Sequence, residues 1–246
     1  MKYFNSDDFV GLEYNWEQLI NVIKNVTNIL YDNDYSQPIK PYLDFNTPAN
    51  RIIAMPARVG GDVDTCGIKW IASFPQNIYN NLPRANSITI LNCTKTGVPY
   101  AIFNTTLLSI IRTSAVTGLI INEYIKNKNY KLNVCIIGFG PIGQMHYNML
   151  NTYFLNAINN IKIFDINKIN FGLKDNTQIV NSWQEAYKEA DIVITATVSN
   201  TRYINESPKK GALLANVSLR DYSTDIFEYV KDGIIVDNWE EVCRKN

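Results

Sequence analysis

The most diagnostic segment of the chain reads Val134-Cys135-Ile136-Ile137-Gly138-Phe139-Gly140-Pro141-Ile142-Gly143-Gln144-Met145-His146. An apolar run typical of a buried strand leads directly into a Gly-x-Gly-x-x-Gly turn, and helix-compatible residues follow. Gly138 permits the tight turn, Gly140 lets the backbone approach a pyrophosphate, and Gly143 lets the helix pack closely on the strand. This order predicts a dinucleotide-binding βαβ unit whose cofactor-binding turn residues are Gly138, Gly140, Pro141, Ile142 and Gly143.

An acidic residue follows the next predicted strand. That strand, Ile161-Lys162-Ile163-Phe164, ends at Asp165, at roughly the spacing from the glycine turn where a carboxylate accepts hydrogen bonds from ribose hydroxyls. A carboxylate in this position repels a 2′-phosphate, so the sequence predicts NAD rather than NADP as the cofactor. The alternative is a glycine turn with a solvated Asp165, which the strand–turn–helix context disfavours.

Strands and helices alternate through the second half of the chain. We predict strands at 133–137, 161–164, 191–196, 212–217 and 233–237, and helices near 142–154, 182–189 and 222–230. This alternation predicts an α/β fold with a doubly wound, Rossmann-type parallel sheet. Ligands bind at the carboxyl edge of such sheets, so Thr195 and Thr197 are expected near the cofactor.

The first half of the chain has a different organisation. The pattern predicts an amphipathic helix over 12–32, short strands at 51–57, 67–75, 87–93 and 98–103, and a long helix over roughly 106–126. Strands separated by short turns predict a mostly antiparallel sheet. A polar linker follows the long helix, so we place an N-terminal α+β domain at 1–127 and the NAD-binding domain at 128–246.

Composition limits the classes of partner. The 246 residues include 23 basic and 23 acidic side chains, and this balance argues against nucleic acid or an anionic membrane surface as the principal partner. The N-terminus lacks the apolar core of a signal peptide, and no apolar run approaches the ~18 residues of a membrane span, so we expect a cytoplasmic protein. Four separated cysteines and one histidine predict no metal site.

Two cations in the first half lie in apolar surroundings. Lys69 lies between Ile68 and Trp70 in a predicted strand, and alternation points it away from them, as for a lysine on a solvated sheet face. Arg112 lies early in the long helix beside an apolar stripe, where an arginine is commonly a rim residue with a snorkelling stem. The pattern alone leaves a structural and a functional role open for each residue.

Several motifs resemble the ornithine cyclodeaminase/μ-crystallin family, in the order in which that family has them. They are Met55-Pro56-Ala57, Gly67-Ile68-Lys69-Trp70, Phe74-Pro75-x-Asn77, Leu82-Pro83-Arg84, Gly97-x-Pro99 and Arg112-Thr113-Ser114-Ala115, all ahead of the glycine turn. The resemblance covers nearly the whole chain. Residues 51–57, 67–75 and 216–218 are most similar to one branch, the dehydrogenases of 2,3-diaminopropionate biosynthesis in siderophore and antibiotic pathways.

The resemblance implies a hydride transfer from the Cα of an amino acid to NAD, which leaves an imine. In the cyclodeaminases a second amine closes a ring and ammonia leaves. In the diaminopropionate branch the substrate is N-(2-amino-2-carboxyethyl)-L-glutamate, and attack of water on the imine gives 2-oxoglutarate, L-2,3-diaminopropionate and NADH. Ornithine or lysine cyclodeamination, alanine dehydrogenation, ketimine reduction and non-catalytic ligand binding of the μ-crystallin type are the alternatives.

The same resemblance implies two catalytic residues. Lys69 matches the family's active-site lysine, which polarises or exchanges protons with the reacting amine, and we expect Ile68 and Trp70 to lower its pKa by desolvation. Asp221 aligns with the family's acidic residue for the substrate amine or the attacking water. The alternative for Asp221 is an acid at a helix N-terminus. His146 is left outside the catalytic set, because a polar side chain in the nucleotide helix is more often structural.

The implied substrate carries several carboxylates, so more than one binding cation is expected. Arg112 offers a bidentate fork for the α-carboxylate, and Lys40 and Arg51 are weaker candidates for a further carboxylate. Thr113 and Val217 match positions near the cofactor. The resemblance also implies a homodimer paired through the antiparallel sheets, with residues 1–127 forming a substrate-binding and dimerisation domain. The family normally continues for several dozen residues beyond the end of this sequence, in a segment that helps to close the cleft.

Overall fold

A computed structural model describes residues 1–47, 49–231 and 233–243. Its strands are β1 (Lys2–Asn5), β2 (Tyr35–Ser36), β3 (Tyr42–Asp44), β4 (Arg51–Val59), β5 (Thr65–Ser73), β6 (Ala85–Asn92), β7 (Pro99–Asn104), β8 (Leu132–Ile137), β9 (Ile158–Phe164), β10 (Thr177–Ile179), β11 (Ile192–Thr195) and β12 (Leu213–Asn216). Its α-helices are α1 (Trp16–Tyr31), α2 (Leu107–Ile125), α3 (Pro141–Thr152), α4 (Trp183–Tyr187), α5 (Phe227–Val230) and α6 (Trp239–Cys243). The chain divides into two compact units, Met1–Ser109 and Ile110–Asn246.

The first unit is built on a seven-stranded sheet. Its strand order is β1-β7-β6-β5-β4-β2, with β3 also paired to β4. Strands β4 to β7 are antiparallel to one another, as the sequence predicted, and β1 joins β7 in parallel. Helix α1 packs on β4 and buries Trp16, Ile20 and Ile29, of which Trp16 and Ile20 lie four residues apart on one face. The Asn15 side chain caps α1 by accepting a hydrogen bond from the Gln18 N–H.

The second unit is built on a five-stranded parallel sheet in the order β10-β9-β8-β11-β12. The chain runs outward from β8 to β9 and β10, and then returns to place β11 on the other side of β8. This is the Rossmann strand order, and the predicted fold class is confirmed. Strands β8 and β11 form the core, where Cys135, Ile136 and Ile194 are inaccessible to solvent. The point where the strand order reverses lies at the carboxyl ends of β8 and β11, the expected place for a ligand.

Two predicted elements differ from the structure, and the short strands β1, β2 and β3 were not predicted. The predicted strand at 233–237 is wrong, because these residues pair with no strand in the described part of the chain, and Ile235 is 80% exposed. An apolar run forms a strand only where an edge receives its hydrogen bonds. The predicted helix at 222–230 is reduced to a 3₁₀ turn at Thr224–Ile226 followed by α5. The short strand β10 was not predicted, since its three residues carry too little pattern.

Helix α2 crosses the division between the two units. The predicted domain boundary at 127/128 assigns the whole helix to the first half, whereas the contact-based division falls at 109/110. From residue 110 onward the helix belongs to the second unit, where Ser114 and Thr117 form hydrogen bonds with His146 of α3. A linker's polarity marks where a helix ends, but not which neighbours that helix packs against.

Within the described ranges, no helix combines the length and apolarity needed to cross a bilayer. The same residues contain no cluster of three or more histidine, cysteine, aspartate or glutamate side chains that could hold a metal ion. Cys66, Cys93 and Cys135 are free thiols. Desolvation raises the pKa of Cys135, which leaves its thiol neutral within the core.

Candidate cofactor and substrate residues

Two glycines of the turn after β8 are required by close backbone contacts. Gly138 has φ +92°, and a Cβ added there would lie 2.7 Å from the backbone carbonyl of Ala196, at the end of β11. A Cβ added at Gly143 would lie 2.1 Å from the carbonyl oxygen of Gly138. Any side chain at either position would force the backbone to move. The turn is therefore held tightly between β11 and helix α3.

Gly140 has a different environment, with open space where a side chain would be. A Cβ added there would have no atom within 4 Å. Gly140 is also the N-cap of α3 and supplies no side-chain hydrogen bond to the helix, and Pro141 occupies the first helical position. The N-terminus of α3, which directly follows this glycine, offers N–H donors and a positive dipole end to a phosphate. These residues fit a dinucleotide pyrophosphate.

Asp165 is fixed beside this turn. Its Oδ2 accepts a hydrogen bond from the Phe139 N–H at 2.6 Å, and its Oδ1 accepts one from the Asn167 N–H at 2.8 Å. The carboxylate is half-buried at the end of β9, next to the space in front of Gly140. It therefore lies where an acid binds the ribose hydroxyls in this fold. A dinucleotide bound here would supply a hydride acceptor.

The predicted hydroxyls at the end of β11 are held by other protein groups. Thr195 is fully buried, and its hydroxyl donates to Asn216 Oδ1 at 3.2 Å. The Thr197 hydroxyl donates to Asp221 Oδ1 at 2.5 Å. The Val217 N–H donates to the carbonyl of Thr195 at 3.1 Å. These contacts join the loops after β11 and β12, so both threonines shape the carboxyl edge of the sheet.

Asp221 is a fully buried carboxylate surrounded by hydroxyl groups. It accepts hydrogen bonds from Thr197, from Ser218 and from Tyr203, the last at 2.9 Å. Burial, reinforced by the adjacent carboxylate, raises the pKa of Tyr203 and keeps its phenol protonated as a donor. The alternative of an acid at a helix N-terminus is wrong, because the next helical turn begins only at Thr224.

Lys69 lies on the covered face of the first unit's sheet. Its Nζ donates to the hydroxyl of Ser109 at 3.1 Å, and its side chain is half-buried. Strand alternation places Ile68 and Trp70 on the opposite face, where Trp70 is 40% exposed. The alternative of a lysine on a solvated face is therefore wrong. Ile68 and Trp70, the neighbours expected to desolvate Lys69, lie on the opposite face of the sheet.

Arg112 and Ser109 lie three residues apart on α2 and therefore project from the same face of this helix. Arg112 is exposed to solvent. Desolvation by the surrounding protein lowers the pKa of its guanidinium, and the Asp237 carboxylate partly offsets this effect. The group remains a cation and keeps its fork of donors. One face of α2 thus carries both the partner of Lys69 and the candidate carboxylate ligand.

The two weaker candidates lie on the first unit. Arg51 is the first residue of β4 and pairs in register with Ser73 of β5. Met55 pairs with Lys69 in the same way, so Arg51 shares a sheet face with Lys69, about 13 Å further along the strand. Lys40 lies just ahead of β3 and is half-buried. The structure thus places Arg51 and Lys69 on one face of the sheet.

Three partners of the predicted site residues were missed from the sequence. They are Ser109, which binds Lys69, and Tyr203 and Ser218, which bind Asp221. Ser109 could have been found from the sequence, because its spacing of three residues from Arg112 places the two side chains on one face of the predicted helix. Ser218 lies only three residues before Asp221, whereas Tyr203 comes from the loop after β11, and no spacing rule connects that loop to Asp221.

His146 links the cofactor helix α3 to α2. The ring is fully buried, with Nδ1 2.8 Å from the Ile142 carbonyl and Nε2 2.9 Å from the Thr117 hydroxyl. Nδ1 therefore donates to the carbonyl, and Nε2 accepts from the hydroxyl. Desolvation lowers the pKa of His146 to about 4. This position agrees with leaving His146 outside the predicted catalytic set.

His146 is expected to make the folded protein less stable in acid, and replacing it by glutamine should abolish this effect. The histidine of the unfolded chain gains a proton below about pH 6.5, whereas that of the folded chain does so only below about 4. Falling pH across this window therefore favours unfolding, by about 3 kcal/mol in total. Unfolding curves collected across the window measure the effect, which the variant should lack. Parallel losses in both proteins would contradict this assignment.

Comparisons with known proteins agree with the fold and the turn. Residues 2–219 match the sequence profile of the ornithine cyclodeaminase/mu-crystallin family. The chain is 31% identical over 268 aligned residues to N-((2S)-2-amino-2-carboxyethyl)-L-glutamate dehydrogenase of Staphylococcus aureus, an alignment that covers 100% of this chain and 77% of that protein.

Solved structures share the fold. The Δ(1)-pyrroline-2-carboxylate reductase of Thermococcus litoralis, in complex with NADH and L-proline, has a TM-score of 0.76 and 21% identity, covering 92% of this chain and 73% of that one. The structure of CmnK has a TM-score of 0.76 and 22% identity, covering 92% and 71% of the two chains. At these identities the likeness establishes the fold.

Proposed function

This chain belongs to the ornithine cyclodeaminase/mu-crystallin family and is an enzyme of its NAD-dependent amino acid dehydrogenase and ketimine reductase class, and we propose that it oxidises N-(2-amino-2-carboxyethyl)-L-glutamate. The observation that carries this proposal is the 31% identity to a dehydrogenase of that substrate along the entire chain. The products are 2-oxoglutarate, L-2,3-diaminopropionate and NADH.

The proposed chemistry uses the cations of α2 and β5 on one substrate. Arg112 holds a carboxylate through its two-pronged guanidinium, which fixes the orientation of the neighbouring Cα. Lys69, positioned by Ser109, exchanges protons with the substrate amine. Hydride leaves Cα, the amine loses its proton and the C=N bond forms. Water then adds to this carbon and the C–N bond breaks, releasing the oxo acid and the diamine.

For Asp221 we propose a positioning role within this reaction. The carboxylate is fully buried and already accepts three hydroxyl donors, so it acts on the substrate through the loops that it joins. Thr197 and Ser218 belong to those loops, which lie at the carboxyl edge of the parallel sheet. Because the side chains of this buried cluster are hydrogen-bonded to one another, they hold the two loops in one conformation during the reaction.

The proposed cofactor is NAD. Asp165 is fixed by two backbone N–H groups where the ribose hydroxyls of the adenosine half would bind, and a 2′-phosphate beside this carboxylate would meet a like charge. The open space at Gly140 and the helix N-terminus behind it accommodate the pyrophosphate. We further propose that Thr113 and Val217 contribute to this site, with Pro141 and Ile142 at the helix start.

We propose that the protein is a homodimer paired through the uncovered face of the first unit's sheet. This face is apolar across neighbouring strands, where it carries Tyr3, Ile68, Trp70, Ile88, Ile90 and Ile102. Trp70 and Ile88 are direct cross-strand neighbours, and they are 40% and 39% exposed. An exposed apolar face of this kind is typical of an interface, and a related archaeal alanine dehydrogenase is described as a dimer.

Replacing Trp70 by glutamate is expected to convert the dimer into monomers, because each interface would bury two new charges. Light scattering on the purified protein gives the mass, which should equal two chains for the wild type and one for the variant. Glutamate at the exposed Tyr31 of α1 is the matched control and should leave the dimer intact. A monomeric wild type would contradict the proposal.

The function is tested by following NADH absorbance with a panel of substrates. We expect NADH formation with N-(2-amino-2-carboxyethyl)-L-glutamate and NAD, and much weaker turnover with NADP. Ornithine should give none. Conversion of ornithine to proline with release of ammonia would favour a cyclodeaminase instead. NAD binding without turnover of any amino acid or ketimine would favour a ligand-binding protein.

A further inference from the structure

Two arginines of the first unit meet at one end of its sheet. Arg51 begins β4, and its register partner Ser73 ends β5. Arg84 directly precedes β6, and its carbonyl accepts a hydrogen bond from the Phe74 N–H at 2.8 Å. The two residues are therefore separated in space by a single strand, although 33 positions separate them in the sequence.

Both guanidinium groups contain buried donors that no protein group satisfies. Among the residues that the structure describes, the Nε atoms of Arg51 and Arg84 are buried and have no hydrogen-bond partner. Buried polar atoms in folded proteins nearly always have partners, so two unsatisfied guanidinium donors at one end of the sheet point to an anionic ligand.

The charges at this place are also unbalanced. Desolvation, followed by the like charge of Arg51, lowers the pKa of Arg84. No described carboxylate forms an ion pair with either arginine, including Asp44, the cross-strand neighbour of Arg51 in β3. Two neighbouring guanidinium groups that lack an anion repel each other, and an anion bound between them would remove that repulsion.

We propose that Arg84, together with Arg51, forms a subsite for a second carboxylate of the substrate and thereby selects dicarboxylic over monocarboxylic amino acids. This inference rests on the proposed function, which supplies a substrate with several carboxylates. Arg51 shares its sheet face with Lys69, about 13 Å away along the strand. One extended substrate bridges the two residues along that face.

The subsite explains selection without a steric barrier. An amino acid with a single carboxylate leaves the two arginines of the subsite without an anion. When such a substrate binds, the two guanidinium donors stay unsatisfied and the two positive charges still repel each other. A distal carboxylate satisfies the donors and removes the repulsion, so a substrate that carries one binds more tightly. Arg84 is therefore a specificity-determining residue.

Calorimetry with 2-oxoglutarate and pyruvate tests the subsite directly. Both are 2-oxo acids, and only 2-oxoglutarate carries a distal carboxylate. On the full-length chain, with and without NADH, Arg84→Gln is expected to weaken binding of 2-oxoglutarate by about 10- to 100-fold, the effect of losing a hydrogen bond to a charged group. Pyruvate binding should change less than about twofold. Equal affinity of wild type and variant for 2-oxoglutarate would overturn the proposal.

Two further variants control for charge and folding. Arg58→Gln removes the same charge from β4 of the same sheet, where Arg58 instead pairs with Asp34 at 2.8 Å, and it should bind 2-oxoglutarate like the wild type. Arg84→Lys keeps the charge but loses the fork, so its affinity should fall between those of the wild type and Arg84→Gln.

Thermal unfolding separates a binding role from a structural one. Unliganded Arg84→Gln should unfold at the same temperature as the wild type or higher, because the like-charge contact is gone. The stabilisation by 2-oxoglutarate should disappear in this variant. A clearly less stable or unfolded Arg84→Gln would overturn the proposal, since it would assign the guanidinium to the fold.

Turnover distinguishes failure of this subsite from failure of the proposed function. If the wild type does not oxidise N-(2-amino-2-carboxyethyl)-L-glutamate but binds 2-oxoglutarate through Arg84, the subsite holds and the proposed substrate is wrong. If the wild type oxidises it and Arg84→Gln leaves the KM unchanged, the proposed function holds and the subsite is wrong.

Discussion

Replacing Lys69 by methionine is expected to lower kcat by about 100- to 10,000-fold, the usual contribution of a positioned proton-transfer group. Methionine preserves much of the aliphatic stem in the sheet but removes the Nζ that contacts Ser109. The NAD affinity and the melting temperature should change little, because Lys69 contributes to neither the glycine turn nor the buried core. Steady-state kinetics together with NAD titration measures both effects.

The matched control is Lys2→Met, which removes an exposed lysine from β1 of the same sheet and should retain full activity. A Lys69→Met enzyme whose kcat lies within about threefold of the wild type, with unchanged KM, would remove Lys69 from the proposed mechanism. A large rise in KM with normal kcat would instead assign Lys69 to substrate binding.

Alanine at Gly140 and alanine at Gly143 are expected to have opposite effects on folding and on cofactor binding. Gly140→Ala places a methyl group in open space, so the fold should be as stable as before, whereas NAD affinity should fall at least about tenfold because the pyrophosphate needs that space. Gly143→Ala forces a methyl group to 2.1 Å from the Gly138 carbonyl, and should destabilise the second unit by about 1–3 kcal/mol or more.

Gly172→Ala is the control for replacing a glycine by alanine. A Cβ at this position also meets no atom within 4 Å, and the residue lies in a loop outside the glycine turn. It should affect neither the melting temperature nor NAD binding. Thermal unfolding and NAD titration of the three variants give the comparison. Normal NAD affinity in Gly140→Ala would show that the pyrophosphate does not bind in front of α3.

The parallel unit could be predicted from the sequence because local and global signals agree there. The glycines mark a turn that only glycine can form, and the apolar runs of β8 and β11 have the length of buried strands. The segment at 233–237 carries the same apolar signal, but its conformation depends on a neighbouring edge. Pairing of this kind is set by tertiary contacts, and the pattern of one segment does not contain it.

The candidate site was only partly predictable. Alternation places Lys69 opposite Trp70, but it does not say which face a helix covers, and the structure shows that the lysine lies on the covered face. For Asp221 the sequence suggested a reacting acid or an acid at a helix N-terminus, and neither interpretation revealed the hydroxyl donors Thr197 and Tyr203 from the loop after β11. Burial and partners follow from packing between elements, whereas residue type and spacing follow from the chain itself.

Oxidation of the glutamyl Cα of N-(2-amino-2-carboxyethyl)-L-glutamate can be followed with substrate that carries deuterium on that carbon. We expect the deuterium to appear in the reduced nicotinamide, and one 2-oxoglutarate and one L-2,3-diaminopropionate to form for each reduced cofactor. Deuterium retained in the organic product, or reduced cofactor formed without 2-oxoglutarate, would contradict this expectation.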